Sequence, residues 1–171
     1  MRIFFTLIWS LAFVSMYGQN MSFIPFGQNQ SSVMEDLTDY ERFLGEVKAE
    51  NKKIVNKLSE NRFVSYSFQE DQLFQIEDVR YYESKVEANE AKEACLAYLS
   101  LFRQAKVLKT QGGINHYASI MSDRVVEVIF ENDRKSKMTK IILRSTSRYH
   151  GPRMQTEELI SVVRSESSFA N

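Results

Sequence analysis

Residues 84–109, SKVEANEAKEACLAYLSLFRQAKVLK, carry the longest helical pattern in the chain, with neither Gly nor Pro inside it. Ser84-x-x-Glu87 reads as a capping box, in which the serine oxygen and the glutamate carboxylate each satisfy an orphan N–H of the first turn. Ala91, Cys95, Tyr98, Leu99, Phe102 and Ala105 recur at helical spacing and therefore share one stripe. Glu90, Glu93, Arg103 and Lys106 fall on the opposite side. Gly112-Gly113 tolerates positive φ and predicts the stop. Strand-like runs flank this helix on both sides, so its apolar stripe is expected to pack on a sheet.

Upstream, Ser32-x-x-Glu35 is a second capping box, followed by Val33, Leu37, Tyr40 and Leu44 at helical spacing and closed by Gly45. This predicts a helix over 32–44. Weakly patterned strands follow at 46–49 and 53–58. A stronger one runs over 63–68, where alternation puts Val64, Tyr66 and Phe68 on one face. Glu70-Asp71 marks a tight turn and 73–82 the returning strand. Downstream of the long helix the pattern predicts strands at 114–121, 124–131 and 138–149, with a turn at Ser122-Asp123 between the first two. Residues 155–164 fit a short terminal helix. The order predicts an α+β fold with two helices packed on antiparallel β-meanders, a duplicated α-β-β-β unit forming one curved sheet. The expected organisation is a signal peptide at 1–19, a single α+β domain at 20–164 and a disordered tail at 165–171.

The address comes from the N-terminus. Met1-Arg2 is a short positive region, Ile3 to Val14 is apolar apart from Thr6 and Ser10, and Ser15 to Gln19 offers a cleavage region. The apolar run is shorter than the ~20 residues of a spanning helix. Export is therefore expected, with no integral membrane span in the mature protein. The single cysteine, Cys95, has no internal partner and sits on the apolar stripe of the long helix, where a small buried hydrophobe is the expected role. An exported chain without disulfides fits a periplasmic or bacterial cell-surface setting better than an animal secreted one. Net charge is zero, which disfavours nucleic-acid binding by bulk charge.

The run from Phe26-Gly27 through Ser31-Ser32-Val33-Met34-Glu35-Asp36-Leu37, with the element order, resembles the opening of small exported α+β domains. These are the beta-lactamase-inhibitor-protein-like and outer-membrane small-protein-A-like families. The resemblance implies a non-enzymatic domain that works by protein–protein contact. The chain departs from those families in lacking a lipobox cysteine and paired cysteines. No site residue is carried over.

No catalytic constellation stands out, and no cofactor is expected. His116 and His150 are the only histidines, without a His-x-x-His or Glu-x-x-His pattern for a metal. No Gly-x-Ser-x-Gly elbow exposes a nucleophile. An exported hydrolase built around His116 or His150 is the alternative to a binding module. The electrostatic feature is basic: Arg134, Lys135, Lys137, Lys140, Arg144, Arg148 and Arg153 fall in 134–156 without an acidic residue. Such a stretch suits an anionic envelope component or an acidic protein face. An ordinary structural role competes with that reading. Pairing Phe130 with Ile141 and Val128 with Leu143 keeps the apolar faces of two strands together, and places Glu131 opposite Lys140 and Glu127 opposite Arg144. Exchanging the charges of Glu127 and Arg144 is then expected to restore stability lost in either single mutant. Arg134, Lys135, Lys137 and Arg148 remain as the candidate anion patch.

Overall fold

The computed structural model describes residues 24–41, 46–100, 106–111, 114–132 and 137–152. Two helices, α1 (Gln30–Glu41) and α2 (Lys85–Ser100), accompany strands β1 (Glu46–Glu50), β2 (Lys53–Ser59), β3 (Arg62–Gln69) and β4 (Gln72–Tyr82). The second set is β5 (Lys106–Gln111), β6 (Ile114–Ile120), β7 (Arg124–Asn132) and β8 (Thr139–Ser147). All eight strands form one sheet in the order β1-β2-β3-β4-β8-β7-β6-β5, with every neighbouring pair antiparallel. Each four-strand meander runs inward from its own edge, and the two meet at β4 and β8. The fold is α+β and dominated by its sheet.

Each helix is therefore followed by four strands, not three. The expected helix over 84–109 ends at Ser100, and Lys106–Gln111 is a strand. Helix and strand preferences differ little for Lys-Val-Leu-Lys-Thr, so the backbone ladder to β6 decides. Gly112-Gly113 lies between β5 and β6, outside the described residues, as do Phe102, Arg103, Ala105 and Gly45. The segments expected to hold the signal peptide, the terminal helix and the tail also lie outside them.

The caps follow local chemistry. Ser84 Oγ accepts from the Glu87 N–H at 3.4 Å, as the capping box requires. The first helix begins earlier than expected, because Asn29 takes the N-cap role from Ser32. Its Oδ1 accepts from the Ser32 N–H at 2.8 Å, and Asp71 Oδ1 accepts from the Gln30 N–H at 3.1 Å. The hairpin that carries Asp71 turns through Glu70 (φ 51°) and Asp71 (φ 59°), both left-handed, as a two-residue type I′ turn requires. Glu70 gains nothing visible from that conformation. Glu70→Asn is expected to raise stability by about 0.5–1 kcal/mol in urea unfolding.

Both helices cover one face of the sheet. Val33 and Leu37 of α1 join Ala91, Cys95 and Leu99 of α2 in a core with Ile54, Val64, Tyr66, Phe68, Ile76, Val128, Phe130, Ile141 and Leu143. Leu73 also faces this core because a bulge leaves Phe74 without a partner and shifts the alternation between Leu73 and Gln75. Cys95 is buried, in keeping with its expected role. Among these apolar groups sits a charged triad. Asp78, with a wholly buried side chain, accepts from Arg62 Nε and Nη2 at 3.2 and 2.8 Å, and from Arg80 Nε and Nη2 at 3.3 and 2.9 Å.

One end of the sheet is closed by loops. Gly27 (φ +88°) lets the chain pass under the His150 ring, and Gly151 (φ +98°) lies against the Phe74 ring. Arg124 stacks over Phe26 at 5.0 Å and forks onto Asp123, 2.6 Å at its shortest. That hydrogen bond holds the Asp123 carboxyl below its ordinary pKa. A depressed folded pKa gives stability that is present above the unfolded value of about 4 and lost as pH falls through the folded one. Asp123→Asn is therefore expected to flatten the acid limb of a stability–pH curve below about pH 4. The neutral-pH change should be small, because Asp123 is 43% exposed and solvent screens the pair.

Candidate functional site

Strand alternation gives the sheet a second face, away from α1 and α2. Its residues line up in rows set by the strand registers. One row runs Ser65, Glu77, Arg144, Glu127, Ala118 across β3, β4, β8, β7 and β6. The next runs Phe63, Val79, Ile142, Ile129, His116. A third runs Tyr81, Lys140, Glu131, Ile114.

The first row holds a linked polar network. Arg144 Nε donates to Glu77 Oε1 at 2.7 Å, and Arg144 Nη1 lies 3.6 Å from Glu127 Oε2. Glu127 is buried, and its Oε1 is 2.7 Å from His116 Nε2. Ser65 Oγ reaches Glu77 Oε2 at 3.5 Å. Burial alone would lower the Arg144 pKa, but the charge of Glu127, with the hydrogen bond and charge of Glu77, outweighs it and holds the guanidinium above its ordinary value.

The β7–β8 register matches the sequence expectation at every anticipated pair: Phe130 with Ile141, Val128 with Leu143, Glu131 with Lys140, Glu127 with Arg144. Lys140 and Glu131 are bridged at 3.0 Å. The expected charge exchange at Glu127 and Arg144 needs correction. Arg144 is shared, and its closer partner is Glu77 from the other neighbouring strand. An exchange would set a glutamate against Glu77 and an arginine against His116.

Of the candidate anion patch, Lys137 and Arg148 lie within the described residues. Arg134 and Lys135 lie outside the described residues. Lys137 is exposed just before β8, and Arg148 follows its end, so nine strand residues, about 30 Å, separate them. Arg148 Nη1 donates to the carbonyls of Met121 and Ser122 at 3.1 and 3.0 Å, bracing the β6–β7 turn. The two histidines differ in company. His116 meets a buried carboxylate, whereas His150 Nδ1 meets the Gln72 side-chain oxygen at 3.1 Å. The His116–Glu127 contact had a usable signal: a turn at Ser122-Asp123 fixes Ala118 opposite Glu127, which places His116 diagonally on the same face.

The third row and its neighbour form a partly exposed strip. Phe63 and Tyr81 have ring centroids 6.0 Å apart. Beside them stand the Lys140–Glu131 pair, 28% and 35% exposed, and Ile114, 41% exposed. Val79, Ile129 and Ile142 form a small apolar cluster beneath. All of these side chains project from paired strands, so their positions are fixed without loops.

No family model, curated protein or solved structure matches the chain. Among the described residues no helix is long and apolar enough to cross a membrane.

Proposed function

We propose that this chain is an exported, periplasmic or secreted binding module that works by protein–protein or envelope contact, without catalysis. The observation that carries this is the strip on the second sheet face. It combines two aromatic rings, an ion pair and an exposed isoleucine on rigid strands. A mixed aromatic and polar surface with fixed side chains suits recognition, because little conformational entropy is lost on binding. The N-terminal reading supports export. We further infer that the two runs of one helix and four strands are a duplicated unit, supported by the strand order, which reads inward from both edges to β4 and β8.

One observation favours a second reading. A buried carboxylate within 2.7 Å of His116 could orient the imidazole for general base work in a small exported hydrolase. Capture from envelope extract by the chain lacking residues 1–19, at low and moderate salt, separates the readings. A protein retained at moderate salt supports the contact role; anionic material held only at low salt supports an electrostatic envelope contact. Nothing retained, together with hydrolytic activity lost in His116→Asn, supports the hydrolase.

A further inference from the structure

We propose that a second copy of this chain pairs with the first through β1, antiparallel and centred on Ala49. Among the described residues β1 closes one end of the sheet and is paired on one side only, with β2. An edge of this kind presents a row of unpaired N–H and C=O groups that template another strand. Proline, bulges, short length and charge are the usual guards of such an edge. β1 contains neither Pro nor Gly, and its register with β2 is unbroken over five pairs from Glu46–Lys57 to Glu50–Lys53. Its guards are its five-residue length and its charge, and the charge pattern is self-complementary.

Glu46, Lys48 and Glu50 alternate along one face of β1. Placing Ala49 opposite Ala49 of the second copy sets Lys48 opposite Glu50. The two-fold axis repeats this pair. A register centred on Lys48 instead sets Lys48 against itself and Glu46 against Glu50, three like-charge encounters of the kind that destabilise a sheet. A register centred on Val47 makes the Glu46–Lys48 pairs, but it sets at the axis a side chain packed against the main core, where Ala49 is small and exposed. Glu46, Lys48, Ala49 and Glu50 are exposed, so forming the new ladder displaces no side chain from the core. Ala49 is small enough for close approach at the axis. Val47, partly buried against the main core, anchors the strand from behind.

The test uses the full chain. Sedimentation equilibrium at low salt is expected to show a dimer, with Glu50→Lys raising its dissociation constant by about tenfold or more, since like charges then face each other twice. The double exchange Lys48→Glu, Glu50→Lys restores complementarity and is expected to recover dimerisation. A register-specific readout stands beside it. Ala49→Cys should form an intermolecular disulfide on mild oxidation, because residues directly opposite in an antiparallel pair approach within bridging distance. Lys48→Cys should not, since its opposite number is residue 50. The native Cys95 is buried and supplies no background. Ala49 is exposed, so that variant leaves β1–β2 pairing intact, and an unchanged thermal midpoint confirms folding. A monomer throughout the concentration range, an association indifferent to Glu50→Lys, or equal cross-linking through positions 48 and 49 would each overturn the proposal.

Discussion

Asp78→Ala is expected to lose about 3–5 kcal/mol of folding stability, measured by urea denaturation at neutral pH. The carboxylate is wholly buried on the helix-covered face and accepts four hydrogen bonds from two guanidinium groups. Removing it leaves Arg62 and Arg80 facing each other across adjacent strands, 17% and 10% exposed, with their shared counter-charge gone. Neither guanidinium reaches bulk water easily from that depth, so the full cost of the missing partner is felt. Arg62→Met should cost less, about 1–2 kcal/mol, because Asp78 keeps its fork to Arg80. A loss for Asp78→Ala no larger than that for Arg62→Met would mean that the triad is not held together through Asp78.

The second large effect lies on the opposite face. Arg144→Met is expected to cost about 2–3 kcal/mol, since one arginine serves two carboxylates and one of them, Glu127, is only 1% exposed. The charge exchange Glu127→Arg with Arg144→Glu should fail to recover the single-mutant losses. The matching exchange of Glu131 and Lys140, an isolated pair with a single short bridge, should recover most of a smaller loss of about 0.2–1 kcal/mol. Thermal unfolding of both cycles distinguishes a shared arginine from a simple cross-strand pair. Full recovery at Glu127 and Arg144 would show that Glu77 contributes nothing.

That contrast locates what could be read from the residues alone. The β7–β8 register was legible because apolar alternation puts Phe130, Val128, Ile141 and Leu143 on a common face, and opposite charges then align Glu131 with Lys140 and Glu127 with Arg144. The Glu70-Asp71 hairpin was legible from turn chemistry and the alternation flanking it. The contact between Arg144 and Glu77 was not, because β4 and β8 are 67 residues apart at that point and nothing local says which strands become neighbours. Lys106–Gln111 was misread because Val107 and the lysines extend the helical spacing, while Gly112-Gly113 suits a helix stop and a hairpin equally. Asn29 was passed over for Ser32 because Ser-x-x-Glu is a common capping pattern; the bond to the Ser32 N–H decided between them. Lys137 and Arg148 of the candidate anion patch stand at opposite ends of β8, because residues close in sequence are separated by the length of the strand between them.

The proposed working surface is the strip around Phe63, Tyr81 and Lys140. Tyr81→Glu tests it most directly, compared with wild type in capture from envelope extract at moderate salt. Tyr81 is partly exposed and lies opposite Lys140, so the substitution places a carboxylate beside a cation and should leave the thermal midpoint nearly unchanged. A protein retained by the wild type is expected to be lost from the folded variant. Equal retention by both would place the contact elsewhere on the molecule and contradict the assignment of this face.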